Sequence, residues 1–250
     1  MVDNKIQKEK DFHNQSFNQD ENEEYLGRRK KFYSIDFNIR NTYQNLLLAN
    51  SPNNTILEYG CGPGSYSFIL AQNKAKKVIG IDISEVAIEK AKKTAQEKNL
   101  ANNTEFIVMN AEELDFNNNY FDMICGTAIL HHLDLEKSFK ELSRVLKSGG
   151  RAIFIEPLGH NLFINLYRKL TPSMRTEDEH PLLQKDLDKI KKYFPNAKFQ
   201  YFYLITLLAF PFRKLPGFKL LVKFLDILDK ILFTVFPFLR KYAWQVIIQI

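Results

Sequence analysis

The chain has 250 residues, 45% hydrophobic and 26% charged, with a formal net charge of +6 at neutral pH. That balance excludes a disordered chain and leaves room for one large α/β domain, with or without a cap. Its two cysteines, Cys61 and Cys125, provide neither a disulfide framework nor a Cys-x-x-Cys metal spacing, and no signal-peptide core or run of eighteen apolar residues is present, which fits a cytoplasmic protein.

Residues 1–24 are rich in Asn, Gln, Asp and Glu and read as a flexible polar leader. Over residues 25–50 apolar and aromatic side chains recur (Tyr33, Ile35, Phe37, Ile39, Tyr43, Leu46), which predicts one or two helices. The apolar run Ile56-Leu57 then leads through Glu58-Tyr59 to Gly60-Cys61-Gly62-Pro63-Gly64, after which Tyr66 to Ala71 can open a helix. Glycines in such a strand–turn–helix permit positive φ and let a ligand lie against bare backbone beside unpaired helix N–H groups. The spacing is Gly-x-Gly-x-Gly rather than the Gly-x-Gly-x-x-Gly of dinucleotide sites. A carboxylate in front of the turn, Glu58, would repel a pyrophosphate and suits a cationic ligand.

The second strand, Val78-Ile79-Gly80-Ile81, ends on Asp82, 22 positions after Gly60. An acid at that distance serves ribose hydroxyls in Rossmann-type folds. Its other reading is a helix N-cap, for which Ser84 is also available. A helix over residues 84–98 places Val86, Ala87, Ala91 and Ala95 on one face. A third strand over 105–109 precedes Asn110-Ala111-Glu112, and a fourth over 121–125 runs into Gly126 and on to His131-His132. A helix over 135–147 turns Phe139, Leu142, Val145 and Leu146 inward and stops at Ser148-Gly149-Gly150, before strand five over 151–156.

The glycine loop, Asp82, the Asn-Ala-Glu segment and the Gly-Gly turn occur in order over residues 55–156, and together they resemble the class I S-adenosylmethionine-dependent methyltransferases. The resemblance implies a seven-stranded, mostly parallel Rossmann-like sheet with helices on both faces, an N-terminal helical lid and a cap insertion after strand five. It implies S-adenosylmethionine as cofactor, bordered by Glu58, Gly60, Cys61, Gly62, Gly64, Asp82, Ile83, Asn110, Ala111, Glu112 and Gly126. In that family the leading acid helps hold the cofactor's amino group, Asn110 or Glu112 would face the adenine amino group, and Ala111 would pack on the ring. Phe32 and Tyr33 are candidates for lid aromatics, beside an ordinary packing role.

Residues 25–250 then form a single domain: a cofactor-binding core over 55–156, a cap insertion over 157–195, and the last strands with an apolar amphipathic helix over 196–250. Within it a helix is expected over 162–170, another over 184–194, strand six over 197–203, and a last, antiparallel strand over 242–250 beside strand six. The segment 204–236 is unusually apolar, with Lys219, Lys223, Asp226 and Lys230 spaced to share one helix face. Three readings apply: packing in the domain or against a subunit, a wall of an acceptor tunnel, or an interfacial membrane helix.

His13 falls in the leader, which leaves His131, His132, His160 and His180 as candidate bases. His131 and His132 follow strand four, where the methyl donor would lie, and adjacent side chains point apart, so one of them faces the site. His160 and His180 share the cap with Glu177 and Asp178. Each histidine also reads as an ordinary packed or capping residue. No Asp/His group at ligand spacing calls for a metal. The expected function is S-adenosylmethionine-dependent methyl transfer to a small, apolar or lipid-like acceptor, to oxygen rather than nitrogen or carbon. The alternatives are an RNA base methyltransferase or a non-catalytic cofactor-binding scaffold. No aromatic-basic nucleic-acid module is visible, so nucleic acid is not the expected partner, and peripheral membrane contact stays open.

Overall fold

The apolar runs become the strands of one sheet in the computed structural model, which describes residues 2–19, 33–171 and 179–250. Strands β1 (Thr55–Tyr59), β2 (Lys77–Asp82), β3 (Thr104–Val108), β4 (Phe121–Thr127), β5 (Leu146–Pro157), β6 (Lys198–Phe202) and β7 (Gln245–Gln249) lie in the order β3-β2-β1-β4-β5-β7-β6. The first five run parallel, and β7 runs antiparallel between β5 and β6. This is the seven-stranded Rossmann-like sheet that the motifs imply. The strand order reverses between β1 and β4, so a crevice opens at their carboxyl ends, where open α/β sheets take ligands.

Alternation along each strand divides the apolar residues between two cores. Leu57, Ile79 and Ile124 face one side, with Phe139 and Leu142 of α5 (Leu135–Val145) and Leu187 of α7 (Gln184–Tyr193). Ile56, Val78 and Met123 face the other, with Ile39, Tyr43 and Leu47 of α2 (Phe37–Asn50) and Leu70 of α3 (Ser65–Gln72). Both faces being covered explains why these strands read as continuous apolar runs. Two buried tyrosines fix α2: Tyr43 Oη donates to Gly126 O at 3.0 Å, and Tyr203 Oη accepts from Ile39 N at 2.9 Å.

Several expectations are corrected. Within the leader expected to be flexible, residues 20–24 lie outside the described residues, while Val2–Gln19 form a helix, α1. Its polar side chains are docked on α4 (Glu85–Glu97): Asn14 Oδ1 accepts from Ser84 Oγ at 2.6 Å, Lys90 Nζ donates to Phe17 O at 2.7 Å, and Lys10 pairs with Glu85. On α4 itself Ile88, not Val86, completes the buried face. Helix α5 ends at Val145, and Ser148-Gly149-Gly150 belongs to β5, where the register against β4 jumps from Phe121↔Leu146 to Met123↔Arg151. Gly149, with φ of +76°, lets the chain make that bulge. Tyr25, Phe32, the side chain of Tyr33, Glu177 and Asp178 lie outside the described residues.

After β5 comes α6 (Leu162–Leu170), and residues 179–182 lie against the end of β5: Leu182 N donates to Pro157 O at 3.0 Å and Gly159 N to Leu182 O at 2.9 Å. The apolar stretch after β6 forms a 3-10 turn (Ile205–Phe212), then α8 (Phe218–Val235) and a second 3-10 turn (Pro237–Tyr242). Helix α8 does not pack deeply, since only Val222, Asp226, Asp229 and Phe233 are buried, and none of its residues borders the large cavity described below. Asp226, which spacing put with the lysines, is turned inward and meets Lys230 Nζ at 2.8 Å.

Asp229 anchors the helix. Its carboxylate accepts from Leu204 N (2.9 Å), Ile205 N (2.8 Å), Thr206 N (3.2 Å) and Thr206 Oγ1 (2.6 Å). Asp229→Ala strands these donors in a buried turn and should lower stability by about 3 kcal/mol, measured by urea unfolding. A loss below about 1 kcal/mol would show that other contacts hold the turn.

Candidate active site

At the end of β1 the chain enters a turn in which Gly60, Gly62 and Gly64 have φ of +71°, +50° and +82°. At Gly62 even the space is limited, because a Cβ would sit 3.3 Å from the Phe17 ring of α1. Asp82 holds this turn from the neighbouring strand: its Oδ2 accepts from Gly62 N at 2.8 Å and its Oδ1 from Ser84 N at 2.9 Å. The cap of α4 is Ser84, whose Oγ accepts from Ala87 N at 3.1 Å. A carboxylate has about four acceptor positions, so Asp82 keeps two for ligand hydroxyls.

Beside the turn lies a cavity of about 680 Å³. It is bordered by Glu58, Gly60, Cys61, Gly62, Asp82, Ile83, Asn110, Ala111 and Glu112, brought together from the ends of β1, β2 and β3. Two expected residues fall outside it. Gly64 is the N-cap of α3. Gly126 is needed for packing, since a Cβ there would come within 2.7 Å of Tyr59 O.

Glu58 is buried, and its Oε2 accepts from Ser67 N at 2.7 Å and from the Ser67 hydroxyl. Burial raises its pKa to about 7 against the opposing bonds from Ser67, with the Asp82 charge adding to the rise. The acid thus holds the start of α3 and also borders the cavity. Glu112 is engaged too: Oε1 accepts from Asp134 N at 2.8 Å, while Asn110 Oδ1 accepts from Glu112 N at 3.0 Å. Burial pushes the Cys61 thiol well above its ordinary pKa, so it is neutral.

The four histidine candidates separate clearly. His160 Nε2 accepts from Gln184 N at 3.3 Å and, like His180, does not border the cavity, whereas both His131 and His132 do, not one of the two as expected, because they sit in a 3-10 turn (Leu130–His132) where side chains do not alternate. His131 Nδ1 lies 2.7 Å from Glu156 Oε2, and its Nε2 lies 3.6 Å from Glu179 Oε1. Burial alone would lower its pKa, but the bonds and charges of Glu156 and Glu179 outweigh it and raise the value to about 9. His131 is therefore an imidazolium at neutral pH and not a proton acceptor. His132 is shifted down, first by burial and further by the charge of His131, against the opposing influence of Glu9, so it is neutral. Its Nδ1 lies 3.2 Å from Glu9 Oε2, and Lys5 Nζ donates to His132 O at 2.9 Å.

Three acids at this site were absent from the sequence reading. Glu156 had a legible signal, an acid ending an apolar strand as Glu58 and Asp82 do; its Oε1 accepts from Ile129 N and Leu130 N at 2.9 and 2.8 Å. Glu9 and Glu179 had none, because α1 and the cap meet the histidines only in space. Glu9, His13 and His132, and likewise His131, His132 and Glu179, bring ligand-type atoms within 4.8 Å of one another. Linear spacing does not reveal such groups.

A family model described as a methyltransferase domain matches residues 50–198. The chain belongs to this methyltransferase family. The methyltransferase is 32% identical to a demethylmenaquinone methyltransferase of Lactococcus lactis over 158 residues, 58% of this chain and 61% of that protein. It is 33% identical to a chloroplastic tocopherol O-methyltransferase of Arabidopsis thaliana over 140 residues, 56% and 37% of the two chains. Each match thus spans less than two thirds of the relative. A geranyl diphosphate C-methyltransferase from Streptomyces coelicolor A3(2), solved with Mg2+, geranyl diphosphate and S-adenosyl-L-homocysteine, shares the fold with a TM-score of 0.61 at 15% identity, over 92% of this chain and 84% of that one. The family is that of class I methyltransferases, whose cofactor is S-adenosylmethionine. The bare turn, the two open positions on Asp82 and the acid Glu58 fit such a group.

The folded pKa of Glu58 lies above 4.5, so its ionisation costs the unliganded fold stability as pH rises through about 7. A cationic amino group beside it favours the ionised form. Affinity for S-adenosylhomocysteine should therefore rise about tenfold as pH climbs through 7, and Glu58→Gln should flatten that rise, both measured by calorimetric titration. A wild-type profile as flat as the variant's would contradict the assignment.

Proposed function

We propose that this chain transfers a methyl group from S-adenosylmethionine to a hydroxyl oxygen of a small apolar acceptor. The observation that carries the reading is the Asp82 carboxylate bonded to Gly62 N at the wall of a cavity large enough for a ligand of several rings. Ile39, Ile155, Ile164 and Trp244 border the same cavity and supply an apolar wall. The names of the two relatives, for demethylmenaquinone and tocopherol, support a small organic acceptor.

When bound, the cofactor supplies a methyl group already activated on a sulfonium sulfur. The chain's part is alignment, exclusion of water and removal of one proton. Alignment of two partners in one cavity can contribute roughly 7–11 kcal/mol. Helix α1 lies across the cavity through Lys5, Glu9, His13 and Phe17 and screens it from solvent. His132, neutral at the cavity wall, is the proton acceptor for the acceptor's hydroxyl, and Glu9 at 3.2 Å from Nδ1 stabilises the imidazolium that forms. His131, already protonated and held by Glu156 and Glu179, positions the turn and disfavours a proton on His132 until the acceptor delivers one.

His132→Asn should lower kcat about 10²- to 10³-fold while S-adenosylhomocysteine affinity stays within about threefold. Because the pKa of His132 lies below 6.5, wild-type kcat at saturating cofactor, where the Glu58 effect on cofactor affinity drops out, should decline only under that pH. Carbon-13 NMR of the product made with labelled cofactor reads the methylated atom directly. Unchanged turnover in His132→Asn would remove the base, and a carbon-bound methyl would move the reaction from oxygen to a ring carbon.

A further inference from the structure

Helix α8 is amphipathic in an unusual sense, since both of its carboxylates face inward. Asp229 is consumed by the 204–206 turn and Asp226 by Lys230. The outer surface carries Leu220, Phe224, Ile227, Ile231 and Val235, stepped by four, three, four and four into one stripe, with Leu220 72% and Phe224 58% exposed. Lys219, Lys223 and Lys230 form an exposed row beside it. The apolar surface continues through Phe212 and Leu215 before the helix and Phe236 and Phe238 after it, with Lys214 and Arg240 exposed among them.

Charge sign narrows the occupant. From Lys198 to Ile250 the sequence has eight Lys and Arg against two carboxylates, and both carboxylates are those buried on α8. The exposed patch is therefore cationic with no acid of its own. Docking on a second copy through the same patch about a two-fold axis would set lysines against lysines. Single-stranded RNA takes stacking aromatic platforms, whereas this stripe is mostly aliphatic. An apolar stripe flanked by lysines matches a helix lying in the headgroup layer of an anionic bilayer. No described helix is long and apolar enough to cross a membrane, so contact is from one side.

The patch also adjoins the cap. Asn161, the N-cap of α6, donates to Tyr242 O at 2.7 Å, at the end of the turn that follows α8. Helix α6 exposes Leu162, Phe163, Leu166 and Leu170, while its Ile164, Tyr167 and Arg168 border the cavity. We propose that α8 and its flanking turns dock this methyltransferase onto an anionic membrane surface, with the cavity-bordering cap helix next to the docked face. The docking is independent of the acceptor and of the reaction proposed above.

The test is co-sedimentation of the full chain with vesicles of phosphatidylcholine alone or mixed with phosphatidylglycerol. Binding should be at least tenfold stronger to the mixed vesicles and fall at high salt. Lys219→Glu with Lys223→Glu, and separately Phe224→Ser with Ile231→Ser, should each weaken it at least tenfold, with circular dichroism and S-adenosylhomocysteine affinity unchanged. Absence of sedimentation while S-adenosylhomocysteine still binds would overturn the docking and leave the enzyme reading intact. So would binding indifferent to the variants, a dimer in solution that Phe224→Ser dissolves, or tighter binding to a uridine oligonucleotide than to mixed vesicles.

Discussion

The hydrogen bond from Gly62 N to Asp82 Oδ2 is the contact on which the site depends. A glycine turn with three positive φ angles has little of its own to keep it in one shape. Asp82 fixes it from the adjacent strand β2, whose four central residues are buried, and its second oxygen simultaneously fixes the entry to α4 through Ser84 N. The same carboxylate that shapes the turn borders the cavity, so the geometry offered to a ligand is set before the ligand arrives.

That arrangement recurs around the sheet. Glu58, Asp82 and Glu156 sit at or beside the carboxyl ends of β1, β2 and β5, and each accepts backbone N–H bonds from a loop or helix start: Ser67 of α3, then Gly62 and Ser84, then Ile129 and Leu130. A buried carboxylate is costly unless such donors surround it. Glu58 and Glu156, both buried, and the half-buried Asp82 therefore specify the backbone along this edge of the sheet tightly, and they set the charge pattern around the cavity. Glu58 is raised toward neutrality beside Asp82, and Glu156 with Glu179 keeps His131 protonated so that its neighbour His132 stays neutral.

Much of this was legible because the informative residues are close in sequence to the elements they shape. The strand–glycine–helix unit, Asp82 and the Asn-Ala-Glu segment each carry their own local pattern, and their joint order implied the sheet. What could not be read depends on distant partners. Helix α1 looked like a solvated leader because its Asn, Lys and Glu side chains find their partners on α4 and at His132, roughly seventy or more residues away. Periodicity in α8 identified apolar and lysine rows but not which face would be buried. That is decided by Asp229, whose bonded turn lies at residues 204–206. Gly126 illustrates the opposite error, a glycine at a site-like position whose purpose is close packing on Tyr59 O.

Calorimetric titration of S-adenosylhomocysteine into the wild-type chain and into Asp82→Ala tests the central claim most directly, with circular dichroism to establish that both are folded. One saturable site is expected in the wild type, weakened at least tenfold in the variant through loss of charge-assisted hydrogen bonds. No heat of binding in the wild type, or equal affinity in the two proteins, would contradict an account in which Asp82 both shapes the glycine turn and holds the ligand beside it.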